Sequence, residues 1–204
     1  MGDQLDSTLQ TIRTDLFRAG YLCDHQLAGS IHLAMKLERP LLLEGDAGNF
    51  TYPFGIYLCV VDIDKGTGES SIRRFYALDD CGTRINPMII DGQIHGGLTE
   101  GFAVAMGQQM PFDEQGNLMG NTLMDYFLPT AVETPTWETD YTVTPSPHHP
   151  IGAKGVAESP HVGSIPTFNS AVVDAFAHLG VTHMDMPHTS YRVWKKLKEE
   201  GVQL

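Results

Sequence analysis

Gly152-Ala153-Lys154-Gly155-Val156-Ala157-Glu158-Ser159-Pro160 sets a single carboxylate between glycine-rich backbone and a proline. Gly152 and Gly155 free the backbone to approach a ligand or to take positive φ. Pro160 stiffens the exit. A carboxylate on such a rigid, narrow loop suits a general base. The same nonapeptide also reads as an exposed loop glutamate beside a turn, and the rest of the chain must decide between the two.

Downstream, Phe168, Val172, Ala175, Phe176 and Leu179 recur at helical spacing and predict an amphipathic helix ending at Gly180. Tyr191, Trp194 and Leu197 mark a last helix, with Ser190 as its cap and Gly201 as its stop. Upstream, the proline-rich run from Pro129 to Pro150 reads as an extended connection with one strand near Tyr141–Thr144. Before it, Leu98, Phe102, Ala105 and Met106 predict a helix over 92–107 that opens at Gln93. Its several internal glycines each cost about 1 kcal/mol relative to Ala, which calls for a reason: tight packing through small residues, or a ligand. Earlier still, Ile56–Asp64 and Ile72–Leu78 read as two strands joined by the hairpin loop Asp64–Glu69. Asp79-Asp80-Cys81-Gly82 and Asn86-Pro87 read as turn formers in a tight connection.

Residues 1–49 are different in kind. Leu9, Ile12, Leu16 and Phe17 predict one helix, and Leu27, Ile31, Ala34 and Met35 a second, capped by Asp24. After Arg39-Pro40, Leu41-Leu42-Leu43 reads as a buried strand running into Glu44-Gly45-Asp46-Ala47-Gly48. A phosphate-binding loop starts this way, but it needs Gly, Lys and a hydroxyl where this chain has Phe50, Thr51 and Tyr52. Nucleotide binding is therefore not expected. The motifs in this part are similar to the opening of a MoxR-type AAA+ ATPase, and the resemblance stops at Gly48.

The 204 residues carry 25 acidic and 13 basic side chains, a formal net charge of −12. That balance argues against a nucleic-acid partner, which needs clustered Lys and Arg. The one basic cluster, Arg192 with Lys195, Lys196 and Lys198, reads as a solvated helix face. No apolar run approaches the roughly 20 residues of a membrane span, and the N-terminus lacks a charged-then-apolar leader pattern. Cys23, Cys59 and Cys81 form neither a zinc spacing nor a disulfide framework, so a cytoplasmic location is expected. His148-His149 are adjacent, and neighbouring side chains diverge in extended backbone. With His161 and His183 they are expected to be structural rather than metal ligands. No G-x-S-x-G elbow points to a serine nucleophile.

Three features remain: Gln93 at a glycine-rich helix start, the His-Pro-rich approach, and Glu158. Asp80-Cys81-Gly82, Ile85-Asn86-Pro87, Gly92-Gln93-Ile94-His95-Gly96-Gly97 and Thr144 through Pro160 together resemble the C-terminal end of the large subunit of molybdenum hydroxylases, the xanthine dehydrogenase and aldehyde oxidase superfamily. Within it they are most similar to the branch of aerobic carbon monoxide dehydrogenase large chains. The resemblance runs from about Tyr52 to near the C-terminus. It implies an α+β fold over 50–204, part of a molybdopterin-binding domain, preceded by the short helical segment 1–49. It implies that Glu158 is the general base that takes a proton from a molybdenum-bound hydroxyl. It also implies that Gln93, Lys154, Gly155, Val156 and Ala157 bind the cofactor, a molybdenum–molybdopterin cytosine dinucleotide. Iron-sulfur and flavin subunits are the implied partners, with a homodimer as a further association.

Two departures stand out. Position 157 is Ala where the family usually has Gly, which would strain a positive φ. The three cysteines do not sit in the upstream loop motif that holds copper in the carbon monoxide enzymes. The expectation is a join of two gene fragments whose isolated chain has little or no turnover, and whose uncovered apolar surface promotes aggregation or dimerisation.

Overall fold

A computed structural model describes residues 2–18, 28, 31–32, 51–120, 122–148 and 150–202. The chain divides into two compact units, Met1–Gly48 and Asn49–Leu204. In the first, α1 spans Gly2–Arg18 with Leu9 buried, and Thr11 and Thr14 donate their hydroxyls back to the carbonyls of Ser7 and Gln10. Of the second expected helix, Ala28, Ile31 and His32 are helical. Asp24, the strand at 41–43 and the glycine loop after it lie outside the described residues.

The second unit is a small mixed sheet with helices on one face. β1 (Phe54–Ile63) pairs antiparallel with β2 (Ser70–Asp80), from Phe54 opposite Asp80 to Ile63 opposite Ser70, with an irregularity at Val60/Val61. The hairpin closes through Gly68, whose φ of 73° only glycine adopts freely. β3 (Glu138–Thr142) lies parallel on the far edge of β2. It begins three residues earlier than the Tyr141 start expected from sequence.

α2 runs from Pro87 to Met106. Asn86-Pro87, expected as a turn, is instead its start: the Asn86 side chain accepts from the Ile89 N–H and Pro87 takes the first helical position. Gln93 therefore sits in the second turn and not at the helix start. α3 runs from Glu158 to Ala175, ten residues ahead of the expected Phe168 start. A short 3₁₀ turn (Ala177–Leu179) ends at Gly180, φ 84°. α4 (Ser190–Glu199) is capped by the Thr189 hydroxyl, one residue before the expected Ser190.

α3 packs on the sheet and α2 packs on α3. Alternation along β2 sends Phe75 and Ala77 inward, where they meet Leu98, Phe102 and Ala105 of α2 and Phe168 of α3. The rings of Phe75 and Phe168 lie 4.7 Å apart, with Trp137 edge-on to Phe75 at 5.4 Å. A second cluster of Val172, Phe176, Val181, Met184, Val193 and Leu197 seats α4. The opposite sheet face is open: Phe54, Ile56 and Leu58 are 52%, 71% and 59% exposed.

Candidate functional site

The motif around Glu158 is built on the end of β2. Asp79 and Asp80 are not turn formers: they are the last two residues of the strand, and both are buried. As successive strand residues their side chains leave opposite faces, so each anchors a different part of the motif. Asp80 Oδ1 accepts from the Gly82 N–H at 2.9 Å and from Lys154 Nζ at 3.0 Å, while Oδ2 accepts from the Thr142 hydroxyl at 2.9 Å. Burial alone would raise the Asp80 carboxyl. The Gly82 N–H, the Lys154 ammonium and the Thr144 and Thr142 hydroxyls outweigh it and hold the group well below the usual carboxylate range. Lys154 also lies over the Phe54 ring, 4.5 Å from its centroid. Its side chain is thus committed to Asp80 and the Phe54 ring and is not available to a ligand.

The backbone of the motif is stitched to the segment after β2. Gly82 and Ala153 form an antiparallel bridge, the Lys154 N–H donates to Cys81 O at 2.8 Å, and Gly152 O accepts from both Thr83 and Ser146. Gly82 and Gly152 are at φ 65° and 74°, and a Cβ on Gly82 would lie 2.2 Å from Gly152 O. Glycine is required at both by geometry. Gly155 is exposed and has no positive φ, and a Cβ there would meet only Pro53 Cδ at 3.9 Å. Ala157 has φ −62°, so the alanine at that position is unstrained.

Glu158 does not stand on a loop. It is the first residue of α3, exposed, where a carboxylate complements the helix dipole. Its neighbour Ser159 donates to Asp79 Oδ1 at 2.7 Å, and Tyr57 on β1 donates to the same oxygen at 2.5 Å. Burial, and then the hydrogen bond to Asp79, push the Tyr57 phenol far above its ordinary value and keep it a donor. Sequence reasoning missed this cluster: Tyr57 and Asp79 are 22 residues apart, and Ser159 lies 80 beyond Asp79.

The glycines of α2 divide by face. A Cβ on Gly97 would lie 2.7 Å from Pro160 Cγ and 3.0 Å from His161 N, and one on Gly101 would lie 1.9 Å from Ser164 Oγ. These two admit α3. Gly92 and Gly96 have nothing within 4 Å of a Cβ position. The contacts of Gly97 and Gly101 advance together along both helices, so α2 and α3 run parallel where they touch. Four residues earlier on both helices, that register sets Gln93 level with Val156 and Ala157, the residues just before Glu158. Gln93 and Glu158 are both exposed. The groove of about 720 Å³ next along α2, lined by His95, Gly96, Thr99, Glu100 and Trp137 among others, includes neither.

The histidines are scattered. His161 is partly buried, His183 is exposed with Nε2 3.0 Å from Asp185, and the backbone of His148 donates to the Ser146 hydroxyl. His149 lies outside the described residues. Among the described residues no group of three or more His, Cys, Asp and Glu is arranged to hold a metal ion, and no helix is long and apolar enough to cross a membrane.

A family model described as a molybdopterin cofactor-binding domain matches residues 14–135. The chain is 86% identical over 159 residues to the carbon monoxide dehydrogenase large chain of Hydrogenophaga pseudoflava and 67% identical over 159 residues to that of Afipia carboxidovorans. Each match covers 78% of this chain and 20% of the relative, so the chain spans about a fifth of the length of these relatives. Among solved structures it is similar to Cu,Mo-CO dehydrogenase in a carbon monoxide reduced state, with TM-score 0.75 and 66% identity over 78% of this chain and 20% of that one. It is also similar to quinoline 2-oxidoreductase from Pseudomonas putida 86, with TM-score 0.71 and 32% identity over 86% of this chain and 23% of that one. The family match over more than half the chain, and the likeness of sequence and fold to these relatives, have one meaning: this polypeptide belongs to the molybdopterin cofactor-binding domain family, as a partial domain of the carbon monoxide dehydrogenase large-chain type.

Proposed function

We propose that the second unit forms one wall of a molybdenum hydroxylase active site, with Glu158 as its general base and carbon monoxide as its substrate. What supports the reading is the parallel seating of α2 on α3, whose register sets Gln93 level with Val156 and Ala157, just ahead of Glu158, with Gln93 and Glu158 both exposed. That exposed surface fits a pterin dinucleotide. Gly92 and Gly96 leave room for a flat group to lie against the helix, and the Gln93 amide offers both a donor and an acceptor to its edge. The Lys154 and Gly155 N–H groups are held by Cys81 O and Thr51 O, so the carbonyls of Lys154 and Gly155 and the backbone of Val156 and Ala157 supply the further contacts beside it. The cofactor is the cytosine dinucleotide form, and when bound it supplies oxygen transfer to the substrate carbon and accepts two electrons. Glu158 takes the proton at a carboxylate oxygen, and the helix N-terminus beneath it steadies the charge. The Lys154–Asp80 pair and the Gly82–Ala153 bridge keep the motif backbone in place.

In this reading the electrons leave through iron-sulfur and flavin subunits in the cytoplasm. The 204-residue polypeptide alone does not turn over, because it supplies only one wall of the site. Residues 1–49 carry the beginning of a MoxR-type ATPase without its phosphate-binding lysine.

The test is a graft of residues 50–204 into the large chain of the Hydrogenophaga pseudoflava relative, expressed with its partner subunits. Gln93→Ala is expected to lower molybdenum and pterin content. Glu158→Gln is expected to keep both and to lose turnover. Full cofactor content in Gln93→Ala with undiminished turnover in Glu158→Gln would refute the assignment.

A further inference from the structure

The reading above leaves the Tyr57–Asp79–Ser159 cluster without a role. Three oxygens from three elements form a closed triangle: Tyr57 on β1, Asp79 on β2 and Ser159 in the first turn of α3. Tyr57 and Ser159 both donate to Asp79 Oδ1, and their own oxygens are 3.0 Å apart. The domain is shaped to admit this contact. A Cβ on Gly163 would lie 2.1 Å from the Tyr57 ring, and one on Gly55 would lie 2.6 Å from the Tyr57 hydroxyl and 3.0 Å from Asp79 Oδ1. Gly163 lies inside α3, where it costs about 1 kcal/mol relative to Ala. Two glycines therefore open the slot through which the phenol reaches the carboxylate.

α3 needs such a fixture because its N-terminus lacks the usual one. Ala157 stands at the cap position, already helical, and offers no side-chain hydrogen bond. Its first turn is pinned to the sheet by Ser159, and the residue that shares this turn is Glu158. The direction in which Glu158 leaves the helix is fixed by the rotation of that turn. Asp79 Oδ2 is buried and has no partner among the described residues, so Oδ1 carries the clamp.

We propose that Tyr57, acting through Asp79 and Ser159, is a positioning residue for Glu158. The inference rests on Glu158 being the base. Two measurements test it. In the 204-residue chain, Tyr57→Phe removes only the hydroxyl. The amides of His161, Val162 and Gly163, which donate to the carbonyls of Ala157, Glu158 and Ser159 and so close that first turn, then exchange with solvent faster, by about tenfold or more, while those of α2 and α4 are unchanged. In the cofactor-loaded graft, Tyr57→Phe lowers kcat by roughly 10–100-fold, as expected for a misplaced catalytic group. KM and molybdenum content stay constant. Ser159→Ala gives a similar loss, Ser159→Thr restores much of it, and the Tyr57→Phe/Ser159→Ala pair is no worse than either alone.

A loaded Tyr57→Phe graft with unchanged kcat, or additive losses in the pair, overturns the positioning role. If Tyr57→Phe does not accumulate, the Ser159→Ala and Ser159→Thr comparison decides alone, and equal kcat in the two overturns it. Failure of the underlying reading looks different: Glu158→Gln itself then keeps its turnover.

Discussion

Gly97→Ala tests whether the close seating of α2 on α3 is what shapes the site. In an open helix this change stabilises, by about 1 kcal/mol, because alanine loses less backbone freedom. Here the new methyl would lie 2.7 Å from Pro160 Cγ, 3.2 Å from Pro160 Cβ and 3.0 Å from the His161 nitrogen. Carbon atoms in contact prefer about 3.5–4.0 Å, so the helices must part by on the order of 1 Å. Neither neighbour yields easily, since one is a proline ring that is fully buried and the other is backbone. Overpacking of this kind costs about 1–3 kcal/mol. Set against the helix gain, the net is about 0–2 kcal/mol of destabilisation, a factor of up to roughly 30 in the folded population. Urea unfolding read by tryptophan fluorescence measures it cleanly, because Trp137 and Trp194 both lie in the second unit. Pro160→Ala removes the ring that the methyl strikes, so the double variant recovers part of the loss. A Gly97→Ala chain more stable than the parent by the full helix gain of about 1 kcal/mol would refute the reasoning, because the contact must offset that gain.

Gly92→Ala and Gly96→Ala are the counterpart. With no atom within 4 Å of the added methyl, each is expected to stabilise the 204-residue chain by up to about 1 kcal/mol, measured in the same urea series, while lowering the pterin content of the loaded graft. Lys154→Met leaves the Asp80 carboxylate buried beside an apolar side chain, and is expected to destabilise by about 3–5 kcal/mol. Because folding depresses the Asp80 carboxyl, its contribution is present above the unfolded value of about 4 and is lost as pH falls through the folded value. The parent chain therefore loses stability in acid below about pH 4, and Lys154→Met flattens that part of the stability–pH curve, as thermal unfolding from pH 6 down to 2 would record.

Much of this architecture is legible in the sequence where the signal is local. The β-forming runs Ile56–Asp64 and Ile72–Leu78 and the loop Asp64–Glu69 between them mark the hairpin, and the spacing of Leu98, Phe102 and Ala105 marks α2 despite its glycines. The packing explanation for those glycines holds at Gly97 and Gly101, which admit α3; Gly92 and Gly96 lie open. Element ends are less legible because the residues there have two uses. Asn86-Pro87 is turn punctuation or a helix start, and only the Asn86 hydrogen bond to the Ile89 N–H tells which. The first half of α3 contains Pro160, Gly163 and Pro166, which read as breakers. Pro160 is tolerated because a first-turn N–H has no helical acceptor. Asp79 and Asp80 read as turn residues because their partners are remote: Tyr57 and Ser159 for one, and for the other Thr142 and Lys154, 62 and 74 residues along the chain. The motif's identity is visible in its residues, but the helix that presents Glu158 and the clamp beneath it arise from tertiary contacts.

The central claim is that Glu158 removes a proton in the step that oxidises the substrate. The rate at which carbon monoxide reduces the cofactor-loaded graft, followed by stopped-flow absorbance, isolates that step. The account predicts that Glu158→Gln slows it by about 10²–10⁴-fold, the usual worth of a positioned general base, with molybdenum content unchanged. A loaded Glu158→Gln graft that is reduced at the parent rate would contradict it.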